Sequence, residues 1–147
     1  MHLEGIVNIQ APRATVWKFL IDPDKVAKCA PGVEKMEIVV PDQKFKVIAS
    51  VGFGTVKVRF NAIVEWLEQD APNRAKIKVH GTAPGSATDV VSEMFLAGGA
   101  DGSTDMKWTA DIVVVGTIAS LASRMMGSVT QKLTAAFFDC MKKQIEA

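Results

Sequence analysis

The sequence predicts an α+β domain in which a seven-stranded antiparallel sheet packs against one long C-terminal helix. Between residues 33 and 115, apolar and polar residues alternate with the period of two that is typical of strands buried on one face. From about residue 118 to 145, apolar residues recur at helical spacing instead. The 147 residues are an ordinary length for one domain, which we expect to cover residues 1–147.

The N-terminal segment predicts one strand followed by two short helices. Residues Leu3 to Gln10 alternate like a strand, and Ala11-Pro12 then places proline where a helix can begin. Asp22-Pro23 ends that helix and can start a second one, which we expect to reach Ala27 or Cys29. The two short helices therefore lie between strands 1 and 2.

The middle of the chain predicts a meander of six strands. In the clearest run, residues 55–66, Val56 and Trp66 fall on one face while Lys57 and Arg59 fall on the other. Because the connections between the runs are short, we expect consecutive strands to pair antiparallel. At 1.5 Å per residue the last helix is about 40 Å long, so it is the element that can cover such a sheet.

Composition narrows the class of protein. A net charge of +1 and a pI near 7.8 exclude the strong basic balance of a typical nucleic-acid-binding domain. Two cysteines, Cys29 and Cys140, are too few and too far apart to suggest a secreted disulfide framework, and we expect Cys140 to be a small buried hydrophobe. The N-terminus lacks the pattern of a signal peptide, and the longest weakly polar stretch, Ile112 to Ala122, is too short to cross a bilayer. We therefore expect a cytoplasmic protein in a reducing compartment.

The inventory of catalytic and metal-binding residues is small. The two histidines, His2 and His80, fall at a chain end and on an outward-facing strand position. No H-E-x-x-H or C-x-x-C motif and no carboxylate cluster with ligand spacing occurs. The glycines at 98–102 lie between two strands and open no helix, which favours a hairpin turn over a phosphate loop. We predict no metal, no cofactor and no catalytic residue.

Six cations on the predicted strands fall opposite the apolar residues, and they form a candidate partner-binding face: Lys44, Lys46, Lys57, Arg59, Lys76 and Lys78. The following strands place Asp89, Glu93, Asp105 and Asp111 outward as well. One interpretation is a solvated face on which opposite charges pair across strands. The other is a docking surface for an acidic partner or for anionic lipid headgroups.

Several local strings occur in a characteristic order along nearly the whole chain. They are Ile9-Gln10-Ala11-Pro12-Arg13, Val16-Trp17, Leu20-Ile21-Asp22, Cys29-Ala30-Pro31-Gly32-Val33-Glu34, the run from Ala110 to Arg124, Lys132 and Phe137-Phe138. In this order and spacing, the sequence resembles the CoxG-like family of carbon monoxide dehydrogenase subunits, which belongs to the START-like, or helix-grip (SRPBCC), superfamily.

The resemblance implies a curved sheet that grips the C-terminal helix, with an apolar cavity between them for a lipid-like molecule. It also implies an accessory role beside a molybdenum-dependent carbon monoxide dehydrogenase or a related hydroxylase, at the inner face of the membrane or in quinone delivery. Many members carry an apolar C-terminal extension. Because this sequence stops at Ala147, we do not expect it to anchor itself in a membrane.

Small side chains at or near inward-facing positions support such a cavity, although alternating large and small residues can also fill a core. These small residues are Ala49, Ala62, Gly81, Ala83, Ser92 and Ala110. Methionines suit a wall that must adapt to a flexible guest. The predicted ligand-binding residues are Phe53, Phe60, Ala62, Val79, Met94, Trp108, Ala110, Met125, Val129 and Leu133.

Phe53 lies between two glycines, where it either gates the cavity or folds back on the rim of the core. Three functions follow from these features. The first is a carrier of a hydrophobic small molecule, such as an isoprenoid quinone, a fatty acid or a lipid. The second is a membrane-recruitment or assembly adaptor that acts through the basic face. The third is a cyclase- or hydrolase-type enzyme, which the near absence of titratable groups on the inward faces disfavours.

Overall fold

The computed structural model describes residues 1–146 and confirms the predicted α+β architecture. The strands are β1 (His2–Ile9), β2 (Val33–Val40), β3 (Lys44–Phe53), β4 (Val56–Asp70), β5 (Arg74–Ala83), β6 (Ser86–Gly98) and β7 (Thr104–Gly116). The helices are α1 (Arg13–Ile21), α2 (Pro23–Cys29) and α3 (Ala119–Ile145), with one short 3₁₀ turn at Ala100–Gly102. Ala147 lies outside the described residues.

All seven strands form one antiparallel sheet in the order β1-β7-β6-β5-β4-β3-β2. Five of the six neighbouring pairs are joined by short turns, as the meander prediction requires. The exception is the first and last strands, β1 and β7, which pair with each other. Consequently β1 and β2 lie at opposite edges of the sheet, and the segment that carries α1 and α2 connects one edge to the other.

The start of α2 is specified by its local sequence. Pro23 supplies no backbone donor and fits the first turn of a helix, so α1 ends just before it and α2 begins on it. The Asp22 carboxylate accepts hydrogen bonds from the backbone N–H groups of Asp24 (3.1 Å) and Lys25 (3.3 Å). These bonds satisfy two donors that a helix N-terminus leaves free. The position of α2 beside the sheet therefore has a local cause.

Gly32 lets the segment after α2 approach the sheet closely. Its φ is +80°, a conformation that L-residues rarely adopt, and a Cβ built there would lie 2.1 Å from the backbone oxygen of Ser50. The Gly32 carbonyl accepts a 2.9 Å hydrogen bond from the backbone N–H of Ser50. Only glycine therefore fits between α2 and β3.

The helix α3 packs on the concave face of the sheet through two separate core clusters. The first cluster lies at the C-terminal end of α3, where Met141 packs with α1 residues such as Phe19 and with Met106 of β7. The second lies nearer the N-terminal end of α3, where Met126 packs with the β4 residue Phe60.

The cysteine prediction is wrong. Cys29 of α2 and Cys140 of α3 form a disulfide with a Cα–Cα distance of 5.3 Å, so Cys140 is not a free buried thiol. The bond joins residues 111 apart in sequence, and packing of α2 against α3 brings them together. Sequence separation carries no information on this proximity. The cysteine count therefore no longer supports a reducing compartment.

Two strand boundaries extend beyond the predicted runs. The β4 strand continues to Asp70 rather than ending at 66, past a β-bulge between Trp66 and Glu68. The residue Phe53 is the last of β3, so the turn falls on Gly54 and Thr55 alone. Within residues 1–146, no helix has both the length and the apolar character needed to cross a membrane.

Candidate functional site

An apolar cavity of about 390 Å³ lies between the sheet and α3, bordered mainly by residues of the first core cluster and by Leu133, which packs against the second. The sheet side is formed by inward residues of β4 to β7, and the opposite side by α3 with help from α1, α2 and Pro31. The lining residues are Leu20, Val26, Ala30, Pro31, Trp66, Ile77, Val90, Ser92, Met94, Met106, Trp108, Ala110, Thr130, Leu133, Thr134, Phe137 and Phe138.

A second apolar chamber of about 180 Å³ adjoins the first beneath α2 and reaches toward β2 and β3. The two chambers share five lining residues: Leu20, Val26, Ala30, Trp66 and Ile77. The helix α2 therefore forms part of the wall of each chamber, and the disulfide attaches its last residue to α3. A larger depression of about 880 Å³ on the outer side of α2 is open and includes the charged residues Asp24, Lys28 and Glu34, which suits solvent better than an apolar guest.

The structure brings four of the ten predicted ligand-binding residues together in the cavity wall: Met94, Trp108, Ala110 and Leu133. Another four pack in the second core cluster: Phe53, Phe60, Met125 and Val129. The remaining two, Ala62 and Val79, are half-buried on strands β4 and β5 but do not line the cavity. The ligand-binding role of all ten residues stays a prediction.

Phe53 is only 4 % exposed and packs with Phe60, Ala122, Met126 and Val129. It lies near the N-terminal half of α3, whereas the cavity is lined by residues 130–138 of that helix. This placement favours the alternative in which Phe53 folds onto the core over the one in which it gates the cavity.

Sequence reasoning missed most of the remaining wall. The strand residues Trp66, Ile77 and Val90 have the same inward parity as their predicted neighbours, so the alternation could have found them. On α3, the missed residues Thr130, Thr134 and Phe137 share one helical face with the predicted Leu133, at intervals of three and four residues. The contributions of α1 and α2 carry no such signal, since they depend on how those helices fold over the sheet.

Of the residues the structure describes, none that lines either chamber is charged or a histidine. The polar side-chain groups of the main cavity are the hydroxyls of Ser92, Thr130 and Thr134 and the indole N–H groups of its two tryptophans, Trp66 and Trp108. The Ser92 hydroxyl donates to the carbonyl oxygen of Thr109 at 2.8 Å, and the Thr134 hydroxyl donates to the carbonyl oxygen of Thr130 at 2.8 Å. The wall therefore offers dispersion contacts and a few neutral hydrogen-bonding groups.

Trp108 is held against the sheet because its neighbour has no side chain. Gly5 of β1 pairs with Trp108 of β7, and a Cβ built on Gly5 would lie 2.8 Å from three atoms of the indole ring. Contacts that short do not persist between non-bonded carbon atoms, so the ring can occupy this place only beside a glycine. Gly5 thus keeps the indole out of the cavity that Trp108 lines.

Replacing Gly5 by alanine should push the Trp108 indole into the cavity. We expect an overpacking cost of about 1 kcal/mol in unfolding free energy and a several-fold loss of apolar-ligand affinity. Urea unfolding and tryptophan emission measure these effects. The matched control is Gly98→Ala, also on a strand, where a Cβ meets nothing within 4 Å. If Gly5→Ala and Gly98→Ala changed the unfolding free energy and the ligand affinity equally, the role of Gly5 in positioning the Trp108 indole would be contradicted.

The six predicted cations do lie on the convex face, but most have an acidic neighbour. Arg59 forms an ion pair with Glu34 at 2.8 Å, and Lys44 lies 4.0 Å from Glu65. The strand register also sets acids beside three others: Lys46 is opposite Glu37, Lys76 is opposite Glu68 and Glu93, and Lys78 is opposite Glu65. The sixth, Lys57, is opposite Gly52. This arrangement favours the solvated face with paired charges, and a docking role stays a prediction.

The pKa shifts that can be resolved also belong to exposed groups outside the cavity. Hydrogen bonds to Asp111 and Glu4 raise the pKa of His2, whose Nδ1 lies 2.7 Å from Asp111 Oδ1. A hydrogen bond from Arg74 lowers the pKa of Glu68. These exposed pairs contribute little to stability and lie on the side of the sheet that faces away from α3.

Known structures share this fold. A conserved protein from Geobacillus kaustophilus matches with 26 % identity and a TM-score of 0.90, over 98 % of this chain and 94 % of that one. The Zhui aromatase/cyclase from Streptomyces sp. R1128 matches with 20 % identity and a TM-score of 0.73, over 98 % and 92 %. A START superfamily protein from Mycobacterium smegmatis matches with 12 % identity and a TM-score of 0.71, over 99 % and 97 %.

No curated protein matches the sequence. The family model of CoxG, a subunit of carbon monoxide dehydrogenase, matches residues 5–146, which include all three helices and every strand apart from the first residues of β1. Together with a seven-stranded sheet around a long C-terminal helix and a START-like set of structural neighbours, this match confirms the resemblance. The chain belongs to the CoxG family of carbon monoxide dehydrogenase subunits.

Proposed function

We propose that this protein is a non-catalytic carrier that holds a long apolar molecule in the cavity between the sheet and α3. The observation that carries the proposal is the cavity itself, whose lining is apolar apart from three hydroxyls and two indole N–H groups. Its volume of about 390 Å³ falls in the usual range of small-molecule sites. A bound guest would replace the dispersion contacts that the unfilled space lacks.

The uncharged wall favours a ligand with a neutral head. An ionised carboxylate inside the cavity would lose its hydration without gaining a cationic partner, which costs several kcal/mol. A quinone ring or another neutral head avoids that cost. An isoprenoid quinone or a neutral lipid is therefore a better candidate than a free fatty acid.

The same wall supports a binding protein over an enzyme. General acid–base catalysis needs a titratable side chain within hydrogen-bonding reach of the substrate, and the chambers described here offer only hydroxyls and indole N–H groups. The likeness to an aromatase/cyclase concerns the fold, since the two chains share 20 % identity. We therefore assign no catalytic step to this chain.

The family match supports an accessory role beside a carbon monoxide dehydrogenase or a related molybdenum hydroxylase. A carrier of an apolar molecule has to exchange its guest with another apolar environment, such as a membrane or a partner's binding site. We propose peripheral contact with a membrane, where both exchanges can take place.

Native mass spectrometry of the purified protein, before and after solvent extraction, tests the carrier proposal. We expect an apolar mass that extraction removes. The extracted protein should then bind a quinone with a decyl tail, which quenches the emission of Trp66 and Trp108 because both indoles line the cavity. Decanoate should compete at least about tenfold more weakly, because its charge is unpaired inside. No bound apolar mass and no quenching would contradict the proposal.

A further inference from the structure

One hydroxyl in the cavity wall differs from the others. Ser92 and Thr134 each donate to a backbone carbonyl, as described above. The hydroxyl of Thr130 makes no hydrogen bond with any residue between 1 and 146, although Thr130 lines the same cavity. No side-chain nitrogen or oxygen in this part of the chain is both fully buried and unpaired, so the Thr130 hydroxyl keeps some accessible surface.

The position of Thr130 on α3 places this donor among the apolar residues of the wall. It is one turn before Thr134 on the same helical face, and Leu133 and Phe137 continue that face. The Thr134 hydroxyl donates to a backbone carbonyl of the preceding turn, which is a common hydrogen bond for a threonine within a helix. Thr130 does not do so in this structure.

We propose that Thr130 is a specificity-determining residue, whose hydroxyl donates a hydrogen bond to a neutral acceptor oxygen, such as a carbonyl, on the apolar guest. This inference rests on the proposed carrier function. A pure hydrocarbon leaves the hydroxyl unpaired when it expels water from the cavity, whereas a ketone or quinone carbonyl pairs with it.

The test compares two probes that differ by one carbonyl, 2-undecanone and undecane, on the Thr130→Val and Thr134→Val variants. Displacement of a fluorescent apolar dye from the full chain gives each dissociation constant. In Thr130→Val, we expect the affinity for the ketone relative to the alkane to fall about fivefold, as the loss of one neutral hydrogen bond predicts. In Thr134→Val the ratio should stay unchanged, and Thr130→Ser should restore the wild-type ratio.

A change in packing alone would change the affinities for both probes by the same factor and leave their ratio constant. The ratio therefore distinguishes the loss of a hydrogen bond from a general change in cavity packing. An unchanged ratio in Thr130→Val, or an equal fall in Thr134→Val, overturns the role of Thr130 while leaving the carrier function intact. If the wild-type protein binds neither probe, the carrier function itself fails. The two failures are therefore distinguishable.

Discussion

Replacing Ala110 by tryptophan should abolish uptake of an apolar ligand without unfolding the domain. Ala110 lies on β7 between Leu3 of β1 and Ser92 of β6, and its methyl group faces the cavity. An indole at this position would enter space that no protein atom fills. If it excludes about 100 Å² of ligand surface, the loss at about 25 cal/mol per Å² is about 2.5 kcal/mol, or roughly 70-fold in affinity.

The matched control for this variant is Val113→Trp. Val113 lies on the same strand but points away from the cavity and is 58 % exposed, so the same indole should leave ligand affinity unchanged. Tryptophan quenching by the decyl quinone gives the affinities, and urea unfolding shows whether both variants are folded. If a folded Ala110→Trp protein bound the decyl quinone with wild-type affinity, the assignment of the cavity as the binding site would be contradicted.

Reducing the Cys29–Cys140 disulfide should lower the unfolding free energy by about 2 to 5 kcal/mol. The bond closes a loop of 111 residues, and such a long loop greatly restricts the unfolded chain. That loss is a large part of the total stability of an ordinary domain. Urea unfolding with and without dithiothreitol measures it.

The double variant Cys29→Ala, Cys140→Ala is the control, because its urea midpoint should not respond to dithiothreitol. Thiol titration of the denatured, unreduced wild-type protein should find no free thiol. Two titratable thiols, or a wild-type midpoint that dithiothreitol leaves in place, would show that the bond does not form in the protein.

The sequence predicted the inward-facing residues correctly where the hydrophobic residues recur with a regular period. The alternation in β5 and β7 assigned Ile77 and Trp108 to the inward face, because each strand residue is fixed to one side of the pleat. The helical spacing of α3 placed Leu133 on the face that meets the sheet. These predictions needed only the geometry of one element at a time.

The alternation of side chains identifies the inward face of a strand, but it does not show which inward residues border the cavity. Val79 and Ile77 share the inward face of β5, but only Ile77 lines the cavity. Likewise Phe60 and Trp66 both face inward on β4, yet Phe60 packs with Met126 and Val129 in the second core cluster. This difference depends on where the side chains of α3 fill the concave face of the sheet. Their position is set by the tertiary packing of the helix on the sheet.

The amino-acid sequence by itself determined the number and order of the strands and α-helices, the inward face of strands β3 to β7 and the scarcity of titratable groups on those faces. Tertiary structure alone decided which inward residues border open space, how α2 joins the wall, and that Cys29 meets Cys140. The physical reason is that periodicity is a local property of one segment, whereas a cavity or a disulfide depends on the distance between segments far apart in the chain.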